Sequence, residues 1–458
     1  MSEWRFDREA IACFRFVDAR FDAATGVAEL VYAFDDGPEL IETLTVPGAP
    51  FDLSPERAQA VGRALRLLHL IAGVSYYKAA APEEIRIEGH AIDAPTAALL
   101  TDIYENGLGE FAYRNGLTLR GRLRFPAQAG AGEPLPAITP SAAASAPPRA
   151  LVAIGGGKDS LVSIEALRAA GVDQTVCWIG SSALIAACAA RTGQPTLNIG
   201  RQLDPRLFEF NRHGAYNGHI PVTAVNSAIL VLAALLHGFD QVVFSNERSA
   251  SYGSQIPGAG EVNHQWSKGW QFERMFGDHI AMAVAPGLHY YSLLRPFSEL
   301  AVARAFARSE RYDAHFSSCN RNFHLLGERP AARWCGQCPK CRFVFLALAP
   351  FMPKPRLTAI FGRNLLDESE QQAGYDALIE FGDHKPFECV GEGQESRAAL
   401  AALSTAPAWR EDALVARFAR DVLPAIATPP AIADLLGASG GHRIPAALWN
   451  RLDAHFRA

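Results

Sequence analysis

Leu151-Val152-Ala153-Ile154-Gly155-Gly156-Gly157-Lys158-Asp159-Ser160 runs from an apolar segment through three glycines into a helical pattern that continues to Ala170. A strand that breaks at glycines and then opens a helix brings backbone amides and the positive end of the helix dipole onto one spot, which suits an anion. Lys158 adds a charge there and Ser160 a hydroxyl. An ordinary turn is the better reading of a lone glycine pair; three glycines followed by Lys, Asp and Ser favour a phosphate loop. Spacing excludes two familiar forms. A Walker A loop would need Gly at Val152 and Ser or Thr at Asp159, and a dinucleotide fingerprint would need Gly at Ser160.

On the carboxyl side, the runs Thr175-Val176-Cys177-Trp178-Ile179 and Gln241-Val242-Val243-Phe244 alternate with helical patterns over 160–170 and 222–236. That alternation predicts an α/β fold, a mostly parallel sheet with helices on both faces. Ligands of such sheets lie at the carboxyl ends of strands, so chemistry is expected after Ile154, at Ile179 and Gly180, and after Phe244. On the amino side, residues 126–150 hold six Pro and nine Ala among 25, a stiff composition that predicts a linker. Before it, residues 1–125 read as a β-rich α+β domain. Phe14-Arg15-Phe16-Val17 and Leu30-Val31-Tyr32-Ala33-Phe34, with turns at Thr25-Gly26 and Asp36-Gly37, make a β-meander. Ser54-Pro55 then starts a helix with Val61, Leu65, Leu68 and Ile71 on one face. The α/β domain is expected over 151–394 and a small Ala-rich helical region over 395–458.

The 458 residues are 49% hydrophobic and 20% charged, which predicts a globular chain of two to four packed units. A formal charge of -5 gives no global basic field, so neither nucleic acid nor an anionic membrane is expected as partner. The first ten residues carry Glu3, Arg5, Asp7, Arg8 and Glu9, which no secretory signal would, and no apolar span is long enough for a membrane helix. A cytoplasmic location is expected. Of eight cysteines, Cys319, Cys335, Cys338 and Cys341 cluster, which suggests a metal; Cys13, Cys177, Cys188 and Cys389 are scattered, which suggests packing.

Two further motifs stand out. Ser245-Asn246-Glu247-Arg248-Ser249 follows the strand ending at Phe244, on the same sheet edge as the glycine loop, and Glu261-Val262-Asn263-His264-Gln265-Trp266-Ser267-Lys268 crowds polar groups together before Glu273. Residues 251–260 between them look like a flexible substrate lid. Cys335-Gly336-Gln337-Cys338-Pro339-Lys340-Cys341 is a knuckle whose thiolates converge on one ion, with Cys319, His315 or His324 as fourth ligand. Zinc and an iron-sulfur cluster both fit this spacing.

The loop Gly156, Gly157, Asp159, Ser160 resembles the Ser-Gly-Gly-x-Asp-Ser loop of the PP-loop ATP pyrophosphatases, with Gly155 in place of the first Ser. The resemblance implies a HUP-like parallel sheet, ATP and Mg²⁺, and attack of a substrate oxygen on the α-phosphate to give an adenylate and pyrophosphate. The knuckle resembles that of 7-cyano-7-deazaguanine synthases, which implies zinc. Together with the opening Phe-Arg-Phe-Val and Val-Tyr-Ala-Phe-Asp-Asp-Gly segments, these motifs resemble the MurL-type UDP-N-acetylmuramoyl-L-alanyl-L-glutamate epimerases over nearly the whole chain. That resemblance implies ATP-dependent inversion of the terminal L-Glu of a nucleotide-sugar dipeptide used in peptidoglycan synthesis, with release of AMP and pyrophosphate. Gly155, Gly156, Gly157, Lys158, Asp159 and Ser160, with Ile179 and Gly180, would hold the nucleotide. Glu247, His264, Glu273 and Lys268 are candidates for the chemistry. Asn246, Arg248, Ser249, Asn263 and Gln265 are candidates for substrate binding. A PP-loop amide- or nitrile-forming synthetase, an RNA-modifying PP-loop enzyme and a non-catalytic nucleotide binder are the competing readings.

Overall fold

The computed structural model describes residues 4–132, 135, 148–256, 260–322, 330–382 and 385–457. Most of the expected linker and His324 lie outside these residues.

Among the described residues eleven strands form: β1 (Cys13–Asp22), β2 (Val27–Phe34), β3 (Leu40–Thr45), β4 (Glu84–Ile87), β5 (Arg149–Ala153), β6 (Asp173–Ile179), β7 (Thr196–Gln202), β8 (Gln241–Phe244), β9 (Ser254–Ile256), β10 (Gly260–Val262) and β11 (His289–Ser292). Nine of them make one sheet in the order β11-β8-β5-β6-β7-β3-β2-β1-β4. The five from β11 to β7 are parallel, and β1, β2 and β3 form the expected antiparallel meander. The two halves meet edge to edge, since β3 pairs antiparallel with β7 through Leu44 opposite Arg201. A buried ion pair seals that seam: Arg201 Nε lies 2.7 Å from Glu42 Oε1.

Strand alternation sorts the parallel half into two cores. Leu151, Val242 and Tyr290 face a cluster shared with the meander, its helix Pro55–Ala72 and the helix Val222–His237. Their neighbours Val152, Val243 and Tyr291 face a second cluster with the helices Lys158–Ala169, Glu299–Ala307 and Pro339–Leu348 and the helical carboxyl-terminal region. A sheet buried on both faces needs apolar residues at every position, which is why these strands read as continuous runs. β7 and β11 escape such a reading because Asn198, Gly200 and His289 interrupt them.

The parallel strands run in the spatial order β7-β6-β5-β8-β11, so the chain leaves β5 in one direction through β6 and β7 and returns on its other side as β8. Loops after β5 and β8 therefore diverge and leave a crevice at the carboxyl edge, where ligands of open α/β sheets bind. The stretch expected as a lid is a short ribbon: β9 pairs with β10, while residues 257–259 lie outside the described part. Ser254 Oγ donates to Lys385 O and Glu261 Oε1 accepts from Gly253 N, so the base of the ribbon is closed and anchored. Among the described residues no helix is long and apolar enough to cross a membrane.

Candidate active site

The glycine loop leaves β5 and enters the helix Lys158–Ala169, whose N-cap Gly157 supplies no side-chain cap. Its first amides are thus available to an anion. Gly156 sits at φ +78°, a left-handed conformation that costs an L-residue roughly 1–2 kcal/mol. A Cβ on Gly157 would come within 2.6 Å of Ser318 Oγ. Gly156→Ala should lower stability by about 1–2 kcal/mol in a denaturant titration, since its Cβ would meet Ile185 only at an ordinary 3.5 Å; an unchanged midpoint would show that the loop is not held in this conformation. Gly180, at φ +88° beyond β6, donates its amide to Ile199 O of β7 at 2.9 Å, while Ile154 N donates to Cys177 O at 2.9 Å and aligns the end of β6 with that of β5.

Lys158 points into the protein. Its ammonium is fully buried and paired with both Asp159 and Glu299, so it neutralises carboxylates of the chain itself. Burial pushes the Asp159 carboxyl up, but Lys158, Lys340 and Lys268 outweigh it and hold Asp159 below the usual range. Glu299 goes the other way: burial, reinforced by Asp159 and Glu247, wins over Lys158 and Lys340 and carries it to about 8. Glu299 and Lys340 complete this network, and neither stood out in the sequence.

After β8, Asn246 Nδ2 donates to Ser292 Oγ at 3.0 Å and Ser249 Oγ to Glu247 Oε1 at 2.8 Å. Arg248 turns to Ser439. Glu273, 1% exposed, accepts from Ser292 N at 3.0 Å and from Arg295 Nε at 2.8 Å. Arg295 also donates to Glu247 O at 2.7 Å and to Lys268 O, so one buried guanidinium pins the three segments around the crevice. Asn263 is spent locally, its Oδ1 accepting from Gln265 N at 2.8 Å and its Nδ2 donating to Ala250 O at 3.2 Å. Gln265 Nε2 and Ser245 Oγ are buried without a partner among the described residues, and a bound substrate could supply one.

Cys389 departs from the packing role expected of it. Lys268 Nζ lies 3.0 Å from its sulfur, Lys340 donates to its carbonyl oxygen, and the charge of His264 also acts on the thiol. Burial raises this thiol, but Lys268, His264 and Lys340 more than offset that and lower it to about 5. Cys188, with burial as its main influence, is pushed up to about 11. On its other side His264 Nδ1 binds Glu110, from the helix Gly109–Asn115, and its ring centroid is 4.1 Å from that of His219. Burial lowers the imidazole, yet Cys389 and Glu110 together carry it to about 9. A residue far before the glycine loop thereby contributes directly to the site.

The four clustered cysteines bring their sulfurs within 4.8 Å of one another, and could hold a metal ion. Cys338 and Cys341 Sγ are 3.4 Å apart and Cys335 and Cys341 Sγ 3.7 Å, close to the ~3.8 Å edge of a tetrahedron with ~2.3 Å metal–sulfur bonds. The amides of Gln337, Cys338 and Cys341 point at the sulfurs from 3.3–3.4 Å. His315 stays outside the quartet. Glu110, His219 and His264 also lie together, but Arg114 Nε, 2.5 Å away, occupies the other oxygen of Glu110 and makes this the poorer place for a cation.

The family model of the MurL N-terminal domain matches residues 5–293, and that of the MurL C-terminal domain matches residues 315–431. The chain belongs to the MurL family. A protein of Xanthomonas oryzae pv. oryzae named UDP-N-acetyl-alpha-D-muramoyl-L-alanyl-L-glutamate epimerase is 67% identical over 452 residues, covering 98% of this chain and 99% of that one. Proteins of the same name from Salinispora tropica and a Micromonospora species are each 44% identical, over 93% and 94% of this chain and 92% and 96% of their own. The MurL N-terminal match contains the glycine loop and His264, and the C-terminal match contains the cysteine quartet and Cys389, so the site is built across both.

Proposed function

We propose that this chain is an ATP-dependent epimerase that inverts the terminal L-Glu of UDP-N-acetylmuramoyl-L-alanyl-L-glutamate, a step of peptidoglycan precursor synthesis. The observation that carries the reading is the adjacency of two halves: an uncapped glycine loop at a helix N-terminus, and a thiolate–imidazolium pair joined to it through Lys268, Lys340 and Asp159. Relatives bearing the epimerase name over nearly their full length support the same substrate.

The chemistry needs both halves. An α-proton beside a free carboxylate resists removal, because the enolate would place a second negative charge on the same group. Attack of the glutamate carboxylate on the α-phosphate of ATP forms a C–O–P bond as the bond to pyrophosphate breaks, leaving an acyl adenylate whose carboxyl group no longer carries a charge. The helix amides after Gly157 stabilise the charge on the phosphates, and Mg²⁺ arrives with them as part of the nucleotide. A base tuned towards neutral pH then removes the α-proton, a proton returns on the opposite face, and water releases AMP. Zinc is the metal we assign to the cysteine quartet, whose four thiolates leave no open coordination position, so its role is structural. A cavity of about 510 Å³ lined by Asn106, Arg120, Asn263, Trp266 and Trp270 is proposed to take the nucleotide-sugar end.

The deciding experiment follows AMP, pyrophosphate and deuterium at the glutamate α-carbon with ATP, Mg²⁺ and the dipeptide substrate in D₂O. Substrate-dependent AMP together with α-deuterium and D-Glu is expected. AMP without deuterium would leave an adenylating enzyme of the synthetase type and discard epimerisation.

A further inference from the structure

Adenylation makes no use of Cys389, yet this thiol is met by a buried lysine rather than by apolar neighbours. Lys268 Nζ reaches its sulfur at 3.0 Å. Glu110 binds Nδ1 of His264, whose charge acts on the sulfur together with that of Lys268, so a thiol, an imidazole and a carboxylate are grouped as in activated cysteine sites. A cysteine that only filled space would have apolar neighbours, as Cys177 does, with its ionisation pushed up by burial alone. We propose that Cys389 exchanges the α-proton of the adenylated substrate, its thiolate held by Lys268 and by the His264–Glu110 pair. The inference rests on the adenylating-epimerase reading above.

In the step, the thiolate takes the α-proton: the Cα–H bond breaks, an S–H bond forms, and the electron pair passes into the activated acyl group as an enolate. A proton from solvent water returns to the opposite face of the carbon. Nothing is oxidised or reduced. Lys268 meets the sulfur at 3.0 Å and its charge also acts on Asp159 and Glu247, which keeps the thiolate near the adenylation loop. That is where a base must stand if the same substrate carboxyl is to be activated and its α-carbon deprotonated without moving. His264 and Glu110 act through the thiolate and are positioning residues in this scheme.

The test uses the full chain with ATP, Mg²⁺ and the dipeptide substrate in D₂O. Cys389→Ala and Cys389→Ser should lose α-deuterium incorporation by about 100-fold or more, the scale of general-base catalysis, while substrate-dependent AMP release persists. Should either variant fail to fold, iodoacetamide on the wild-type enzyme replaces it: alkylation at Cys389 should abolish exchange and spare AMP release. The alkylation rate should stay level between about pH 6 and 8, falling only as pH approaches about 5. Lys268, His264, Lys340, Lys385 and Glu388 are the charged groups that face Cys389 and set that limb. Deuterium incorporation at the wild-type rate in Cys389→Ala would overturn the proposal. So would loss of AMP release in a variant that still exchanges pyrophosphate into ATP, which would make Cys389 an acyl-bearing nucleophile. Wild-type enzyme that forms neither AMP nor α-deuterium would remove the epimerase reading itself.

Discussion

Arg295→Met is expected to destabilise the protein by about 3–5 kcal/mol and to abolish turnover. Arg295 and Glu273 are 3% and 1% exposed, and their 2.8 Å contact is the neutralising partnership of each. Removing one member of a buried pair leaves the other charge without compensation, and that penalty is of order 3–5 kcal/mol. Function should fall further than stability does. The same guanidinium holds the carbonyls of Glu247 and Lys268, so its loss frees the strand-end loop and the segment that positions Lys268 against Cys389. A denaturant titration and the α-deuterium assay read the two effects separately. The double variant Arg295→Met with Glu273→Leu should recover most of the stability, because no charge then remains buried alone, but it should not recover activity. A double variant no more stable than the single one would mean that Arg295 matters for its packing rather than for the ion pair.

Arg295 also shows where reading the sequence stops. The glycine loop, the polar run after Phe244 and the cysteine knuckle are local: each places its chemistry within a few residues, in a context of strand and helix that the apolar runs reveal. The parallel sheet was legible for the same reason, through β5, β6 and β8. What completes the site comes from far away in the chain. Glu299 meets Lys158 across 141 residues, Cys389 meets Lys268 across 121, and Glu110 meets His264 across 154. A single Cys between Glu388 and Val390, or a single Glu in a short helix of the front domain, carries no spacing by which to be found. The same distance hid the join of β3 to β7, because an edge-to-edge pairing leaves no periodicity in either partner. Conversely Asn263 and Glu273, conspicuous in a polar run, prove to be bound up in fixing the backbone.

Removing the metal should have the largest effect of all, because the quartet braces both halves of the site at once. Cys319 follows Ser317 and Ser318, whose amide and hydroxyl lie against Gly156 and Gly157 of the phosphate loop. Lys340, between Cys338 and Cys341, reaches the backbone of Cys389 and stands 3.9 Å from Glu299. Without an ion, four sulfurs inside 4.8 Å would have to share protons in a mostly buried space, and the segments that carry them would separate. Structural zinc is worth roughly 10–16 kcal/mol in small domains that fold only around it. Part of that free energy is expected here as local order. The purified chain should carry about one zinc per molecule. Chelation, or Cys338→Ser, should abolish AMP formation and speed amide hydrogen exchange around Ser317 and Cys389, while the meander on the far side of the sheet stays protected. Adding zinc back to the chelated protein should restore both. A visible iron-sulfur absorbance would replace zinc but keep the bracing role; metal-free protein with full AMP formation and unchanged exchange would reject it, since the loop and the thiolate would then hold their geometry unaided.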